Sequence, residues 1–279
     1  MGRAREIVRD LLPPIALRGV RPLRSVAQQV VDATSRVPAY KRNALNEVAA
    51  LRPLRGSKVL VVGASAGEDC KLFIDRGAFE VHGLDVIEDV GSGFQHPRVT
   101  YHQSSIERTQ LPSDYFDVVL AVATMEHVPD IDAAFAEMAR LACPGGIIYS
   151  LASPLWQSPR GHHMGCFDAH PWIHLVFERD DLISYARSSG IKGERGYSLE
   201  QIVDYMLNPK FFNMRPASAY LAACAQLREL NILRNDLIVE VESLLEHPLG
   251  RAPMAKGYLR QDLIARTHTL IGQKLPTRA

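Results

Sequence analysis

The stretch KVLVVGASAGEDC, residues 58–70, limits the fold more than any other part of the chain. An apolar run of strand length climbs to a glycine. Small residues follow (Gly63-Ala64-Ser65-Ala66-Gly67), and then an acidic helix start. Written as G-x-S-x-G, the loop is the turn that exposes a nucleophilic serine, here Ser65, in α/β-hydrolases. Written as strand, small-residue loop and helix, it is the turn that lets a nucleotide-like ligand approach the backbone.

The surroundings separate the two. A hydrolase elbow follows several strands and an oxyanion loop, with an acid and a histidine well after it. Here residues 1–57 precede the strand and look helical, with helical spacing over Val26 to Val31 and over Tyr40 to Leu51. The serine-hydrolase reading is therefore the distant alternative. A nucleotide loop instead requires an acidic residue at the tip of the second strand, about 20 residues on, to accept from ribose hydroxyls. Asp85, ending FEVHGLD, occupies that place.

Beyond the loop, strand and helix signals alternate. A helix over Glu68 to Arg76 stops at Gly77, and strands are expected at 79–85, 98–103, 115–123 and 147–153. Ile131, Phe135, Met138 and Leu141 recur at helical spacing, and Pro144-Gly145-Gly146 ends that helix. A further helix covers Glu178 to Ser189, and Ser198 with Gln201 makes a capping box. This alternation predicts a Rossmann-like, doubly wound, mainly parallel sheet with helices on both faces. Ligands then bind at the edge formed by the strand C-terminal ends. Later helices are expected at 217–230, 232–246 and 258–272, with LIVEV (237–241) assigned to helix. The expected organisation is a helical N-terminal arm or lid (1–55), a cofactor-binding domain (56–197) and a helical C-terminal extension (198–279) that serves as substrate lid or oligomer contact.

Four stretches, VLVVGASAG, VHGLD, LPSDYFDVVLAVATMEHVPD and MARLACPGG, resemble in order and spacing the class I S-adenosylmethionine-dependent methyltransferases of the small-molecule (methyltransferase type 11, UbiE-like) group. The resemblance covers about residues 56–195 and implies a seven-stranded sheet with S-adenosyl-L-methionine as cofactor. Carried over by position, Gly63, Ala64, Ser65 and Gly67 line the methionine moiety. Asp85 holds the ribose, and Val86 lies beside the adenine. Ser105 and Ile106 fall at the adenine edge, and Ala121 supplies a strand-four carbonyl. Two departures stand out. Ser105 replaces the usual acid, so that adenine falls to a hydroxyl, the backbone or Glu107. VIEDVGSGFQHPR (86–98) is also too short and glycine-rich for a full crossover helix.

If the acceptor is a hydroxyl, it needs a general base in hydrogen-bond reach. Histidine suits, since its pKa lies near working pH. SPRGHHMGCFDAHPWIH places His162, His163, His170 and His174 in a loop after the fifth strand. The candidates are His163, then His170, then His127 of the Glu-His-Val-Pro-Asp segment. The cluster could offer metal ligands, yet it matches no compact ligand motif, and no metal is expected.

The formal charge of +1 gives no pull toward nucleic acid. Four scattered cysteines make no C-x-x-C pair and favour a reducing, cytoplasmic setting. Pro13-Pro14 interrupts the arginine-rich start before it could be a signal peptide. That start is compatible with peripheral membrane contact or with a covering arm. The expected function is methyl transfer to a small organic acceptor, most simply a hydroxyl of a sugar, polyketide, phenol or lipid-linked glycan. The alternative is a catalytically degenerate relative acting as a binding module. A homodimer through the C-terminal helices is compatible with either.

Overall fold

A computed structural model describes residues 37–276. The first 36 residues, including the expected Val26 to Val31 helix and the membrane-contact and leader readings of the N-terminus, lie outside the described residues. Helix α1 (Ala39–Leu51) opens the described chain, followed by β1 (Lys58–Val62), α2 (Glu68–Asp75) and β2 (Glu80–Asp85). Next come β3 (Val99–Gln103), β4 (Phe116–Val122), α3 (Ile131–Leu141) and β5 (Ala142–Ala152). The remainder is α4 (Ile173–Val176), α5 (Arg179–Ser188), α6 (Leu199–Met206), α7 (Ala217–Ala225), β6 (Leu230–Val239), α8 (Pro248–Ala255), α9 (Arg260–Ile264) and β7 (Ala265–Lys274).

The strands form one seven-stranded sheet in the order β3-β2-β1-β4-β5-β7-β6. β1 to β5 are parallel, and β7 runs antiparallel between β5 and β6. The reversal of strand order between β1 and β4 is the switch point at which such sheets open a ligand crevice. The alternation of β1 shows how both faces are covered. Leu60 and Val62 face the core beneath α3 and α7, whereas Val59 and Val61 face the core beneath α1 and α2. α3 is amphipathic as its spacing predicts: Ile131, Phe135 and Met138 are buried, and Asp130 caps it by accepting from the Ala133 amide at 3.0 Å. Fully burying each such side chain is worth about 1.5–3 kcal/mol.

Two features differ from a regular doubly wound sheet. No helix forms between β2 and β3, as the glycines there predict. Residues 86–98 instead turn back onto the small-residue loop, where the Gly91 amide donates to Ser65 O and the Gly93 amide to Ala66 O. The Tyr101 ring fills the middle of this turn. A Cβ on Gly83 or Gly91 would come within 2.6 Å of that ring, and one on Gly67 within 2.2 Å of its hydroxyl, so all three glycines make room for one tyrosine.

The second difference corrects the expected helical C-terminal extension. Its helices are α6, α7, α8 and α9, but the segments read as helices at 232–246 and 258–272, LIVEV included, mostly form β6 and β7 and complete the sheet. β6 is an edge strand with one solvated side, and Asp236, Asn235 and Arg234 interrupt its apolar pattern. β7 buries Thr267, His268 and Thr269 inside the sheet, which hides its strand character in polarity. His268 Nε2 and Asn235 Oδ1 meet at 2.9 Å across the pair, and Thr267 meets Ser153 at 2.8 Å.

Residues 153–217 build a cap over the C-terminal end of β5. It has a small core of its own, where Leu182 and Ala186 of α5 meet Ile202 and Met206 of α6. Ser198 and Gln201 form the expected reciprocal capping box at the start of α6. The long loop before α4 is packed rather than open: Trp172 is fully buried and its Nε1 donates to Leu263 O at 2.9 Å. Among the described residues no helix is long and apolar enough to cross a membrane.

Candidate cofactor cleft and reaction site

A cleft of about 490 Å³ opens at the switch point, at the C-terminal ends of β1, β2 and β4. That is within the usual range of ligand pockets, about 300–1,000 Å³. Gly63 and Ser65 from the first turn line it, with Asp85 and Val86 from the tip of β2, Ser105 to Glu107 after β3, and Thr124, His127 and Pro129 after β4. Lys210 stands at its mouth.

The first turn is strained in the way its sequence allows. Gly63 has φ +73° and lies against Thr124, whose Oγ1 would be 2.1 Å from an added Cβ. Ser65 has φ +44°, a left-handed backbone that a non-glycine residue adopts at some cost. Asp85 offsets part of that cost by accepting from the Ser65 amide through Oδ2 at 2.8 Å, while Oδ1 accepts from the Val86 amide at 2.7 Å. The Ile87 amide also approaches Oδ1, at 3.4 Å. A carboxylate has about four acceptor positions, so at least one stays open toward the cleft.

The departure at Ser105 is made good two residues on. Ser105 Oγ donates to Glu107 Oε2 at 2.8 Å, and Glu107 Oε1 accepts from the Asp130 amide at 2.7 Å. Glu107 is thus an acid on the cleft, fixed from two sides. Ile106, Val86, Gly63, Ser65, Asp85 and Ser105 all lie on the cleft. Ala64, Gly67 and Ala121 are not among its lining residues. Ala64 is buried in the core, Gly67 caps α2 beneath Tyr101, and Ala121 is wholly enclosed in β4. Ala123 (φ +53°) and Thr124 reach the cleft instead, just past the strand.

The three candidate bases separate. His127 lines the cleft. Its Nδ1 lies 2.6 Å from Phe211 O, and a carbonyl only accepts, so Nδ1 carries the proton and Nε2 keeps a free lone pair. Burial holds its pKa below the ordinary histidine value, and the Phe211 carbonyl partly offsets this. His163 sits behind it, ring centroids 5.4 Å apart, with Nε2 donating to Pro154 O at 2.9 Å. Burial and then the His127 neighbour push its pKa down to about 3. His170 is off the cleft and its Nδ1 pairs with the Tyr185 hydroxyl at 2.9 Å. His162 and His174 are buried in the cap. Among the described residues no group of three His, Cys, Asp or Glu could hold a metal ion.

Two residues that the sequence does not single out organise the segment after β4. Asn213 Nδ2 donates to Met125 O at 2.8 Å and Val128 O at 2.9 Å, and its amide donates to Glu126 O at 3.1 Å. Phe212 packs against His127, His163 and Trp156 at ring-centroid distances of 5.2, 4.7 and 5.1 Å. Neither had a sequence signal, because both act on partners distant in the chain.

An α/β sheet in this order, with a small-residue turn, a carboxylate at the tip of β2 and a cleft at the switch point, defines a nucleoside-cofactor fold. Residues 60–150 match the family model described as "Methyltransferase domain", and the chain carries a class I S-adenosylmethionine-dependent methyltransferase domain. A curated relative, a ubiquinone biosynthesis O-methyltransferase from Bradyrhizobium sp. (strain ORS 278), is 31% identical over 149 residues, 51% of this chain and 55% of its own length. An uncharacterized methyltransferase from Mycobacteroides abscessus is 33% identical over 119 residues, 40% of this chain and 46% of its own. The chain thus spans about half the length of the curated relatives it matches. The crystal structure of an S-adenosylmethionine-dependent methyltransferase from Mesorhizobium loti superposes with a TM-score of 0.51, covering 85% of this chain and 98% of that one at 15% identity. At that identity the likeness is one of fold. S-Adenosylmethionine is the cofactor of this class. The open acceptor position on Asp85 and the buttressed Glu107 fit a ribose hydroxyl and an adenine edge.

Proposed function

We propose that the protein transfers a methyl group from S-adenosylmethionine to a hydroxyl of a small organic acceptor, with His127 as general base. When bound, the cofactor supplies a methyl carbon activated by a sulfonium, so the protein has chiefly to align the partners. Asp85 would hold the ribose hydroxyls, Glu107 and Ser105 the adenine edge, and the Gly63–Ser65 turn the methionine part. His127 takes the proton of the acceptor hydroxyl at Nε2, and the Phe211 carbonyl stabilises the resulting imidazolium through Nδ1–H. Burial keeps the imidazole neutral, the form that can accept a proton.

The observation that carries this reading is that His127 lines the cofactor cleft with its Nδ1 committed to the Phe211 carbonyl, which leaves Nε2 as its proton acceptor. Oxygen as the methylated atom is further supported by the name of the 31%-identical Bradyrhizobium relative, an O-methyltransferase. Titration calorimetry with S-adenosylmethionine, followed by transfer of labelled methyl into acceptor mixtures, tests it. Micromolar binding and base-stable label are expected. No binding at millimolar cofactor, or label released as a methyl ester by mild base, would refute it.

A further inference from the structure

The two edges of the sheet are built differently. β3 is five residues long, and its exposed side chains are Thr100 and Gln103. β6 is ten residues long, pairs with β7 on one side only, and contains neither lysine nor proline. Leu233, Ile238 and Val239 on β6, and Val241 just past its end, are 40–70% exposed. Natural edge strands are kept short, charged or interrupted, because a long edge with apolar side chains is a template for another strand. Apolar side chains gathered on one part of a surface mark a contact site.

The backbone of β6 is set for pairing over residues 234–240. The bulge in β6 falls before Arg234, and the later irregularity leaves its extra residue on β7, so this run is continuous in β6. The Glu240 amide donates to Ile264 O at 2.8 Å, on the β7 side. Backbone groups alternate between the two sides of an antiparallel strand, so Val239, Leu237 and Asn235 turn theirs to the outer edge. No strand takes them up among the described residues. Asn235 donates to Leu221 O on α7, and Leu237 packs into the core on that side, whereas Arg234 pairs with Glu47 of α1 at 3.8 Å. Residues 235, 237 and 239 therefore share one face, and 234, 236, 238 and 240 the other.

We propose that the outer edge of β6 is the surface on which a second copy of the chain pairs, antiparallel, about a two-fold axis at Leu237. Charge and continuity select the register. An axis at Asp236 would set two aspartates opposite each other, and an axis at Ile238 would set Asp236 opposite Glu240; like charges so placed destabilise a strand pair. An axis at Asn235 would run the pairing into the bulge at Leu233. An axis at Leu237 stays within the continuous run and sets Arg234 of each copy opposite Glu240 of the other, a favourable cross-strand pair. It also sets Val239 opposite Asn235 and brings Leu233 of one copy to the Val241 end of the other, so the exposed apolar side chains are covered together. A surface that meets itself about a two-fold axis is the commonest form of association. The contact belongs to this strand rather than to the C-terminal helices. It lies across the sheet from the cleft at β1, β2 and β4, and it does not depend on the methyl-transfer reading.

Sedimentation velocity of the full-length chain from about 1 to about 200 µM tests the proposal, since association follows mass action. Wild type is expected to pass reversibly from monomer to dimer within this range. Val239→Pro removes an outward amide and leaves the ladder to β7 in place, because proline is tolerated where the N–H faces away from the sheet. It should stay monomeric throughout, with a melting temperature at the lowest concentration and an S-adenosylmethionine affinity close to wild type. Asp236→Cys/Ile238→Cys sets two thiols opposite each other across the axis, at a spacing a disulfide can bridge. On mild oxidation it should run at twice the chain mass without reductant, while wild type treated alike runs at the chain mass. Wild type that is monomeric at the highest concentration overturns the proposal. A dimer that Val239→Pro leaves intact also overturns it and puts the contact elsewhere. Where Val239→Pro lowers the melting temperature as well, the cysteine pair decides: a dimer that it fails to lock overturns the pairing.

Discussion

Asp85 joins two tasks in one carboxylate, because the oxygens that would meet the ribose also hold the amides of Ser65 and Val86. Hydrogen bonds to charged groups are worth about 1.5–3 kcal/mol each. Asp85→Ala should therefore weaken S-adenosylmethionine binding by at least roughly 10-fold in calorimetry, and more if the left-handed Ser65 relaxes. His127→Asn should lower kcat by roughly 10²-fold or more, the usual share of a general base. Because burial lowers the pKa of His127, its neutral form persists through neutral pH. The acid limb of the wild-type kcat/KM profile should then lie below the ordinary histidine value of 6.5. Glu126 makes the opposite contribution to stability. Its carboxyl titrates near 8 when folded against 4.5 for the free group, so the folded state holds its proton more tightly. Stability should fall as pH rises from about 4.5 to about 8, and chemical denaturation across that window should show the slope vanish in Glu126→Leu. The loop, the acid at the strand tip and His127 were legible in the sequence. The paired state of Ser105 was not, since a serine looks like a lost acid until Glu107 is seen to reach back to it.

Among the elements, the post-β4 turn and the Phe212 loop behave as a unit because Asn213 stitches them together. Asn213→Ala removes side-chain bonds to Met125 O and Val128 O and leaves buried carbonyls short of donors. A loss of roughly 2–3 kcal/mol in urea denaturation is expected, with a fall in kcat larger than any change in cofactor affinity. At the start of α6, Ser198→Ala breaks an exposed capping box and should cost about 1 kcal/mol, a drop of about 2–4 °C in melting temperature. β1, β2, β4, α2, α3 and α6 were readable from local patterns, since their apolar residues repeat at one clear period and carry caps. β6 and β7 were not. Asn235, Thr267 and His268 satisfy one another or their neighbours across strands, and a polar residue with a long-range partner is indistinguishable in sequence from a solvated one.

For the whole molecule, strand alternation was enough to predict a doubly wound sheet and the edge at which the cleft opens. The place of the last two strands depended on contacts between residues 147–152 and 268–273, which no local window contains. The absence of a helix between β2 and β3 also acts at this scale. Val86 is 66% exposed and Ile87 37%, so one flank of the cleft is bordered by solvent, whereas Phe212, packed behind His127, is buried. A nucleoside seated there would face solvent beside Val86. On the proposed methyl-transfer reading, spent S-adenosylhomocysteine would leave by this solvent-bordered flank without waiting for the methylated product, and release would follow no obligatory order. Product-inhibition kinetics would show this as a random release pattern, and a strictly ordered pattern would contradict it.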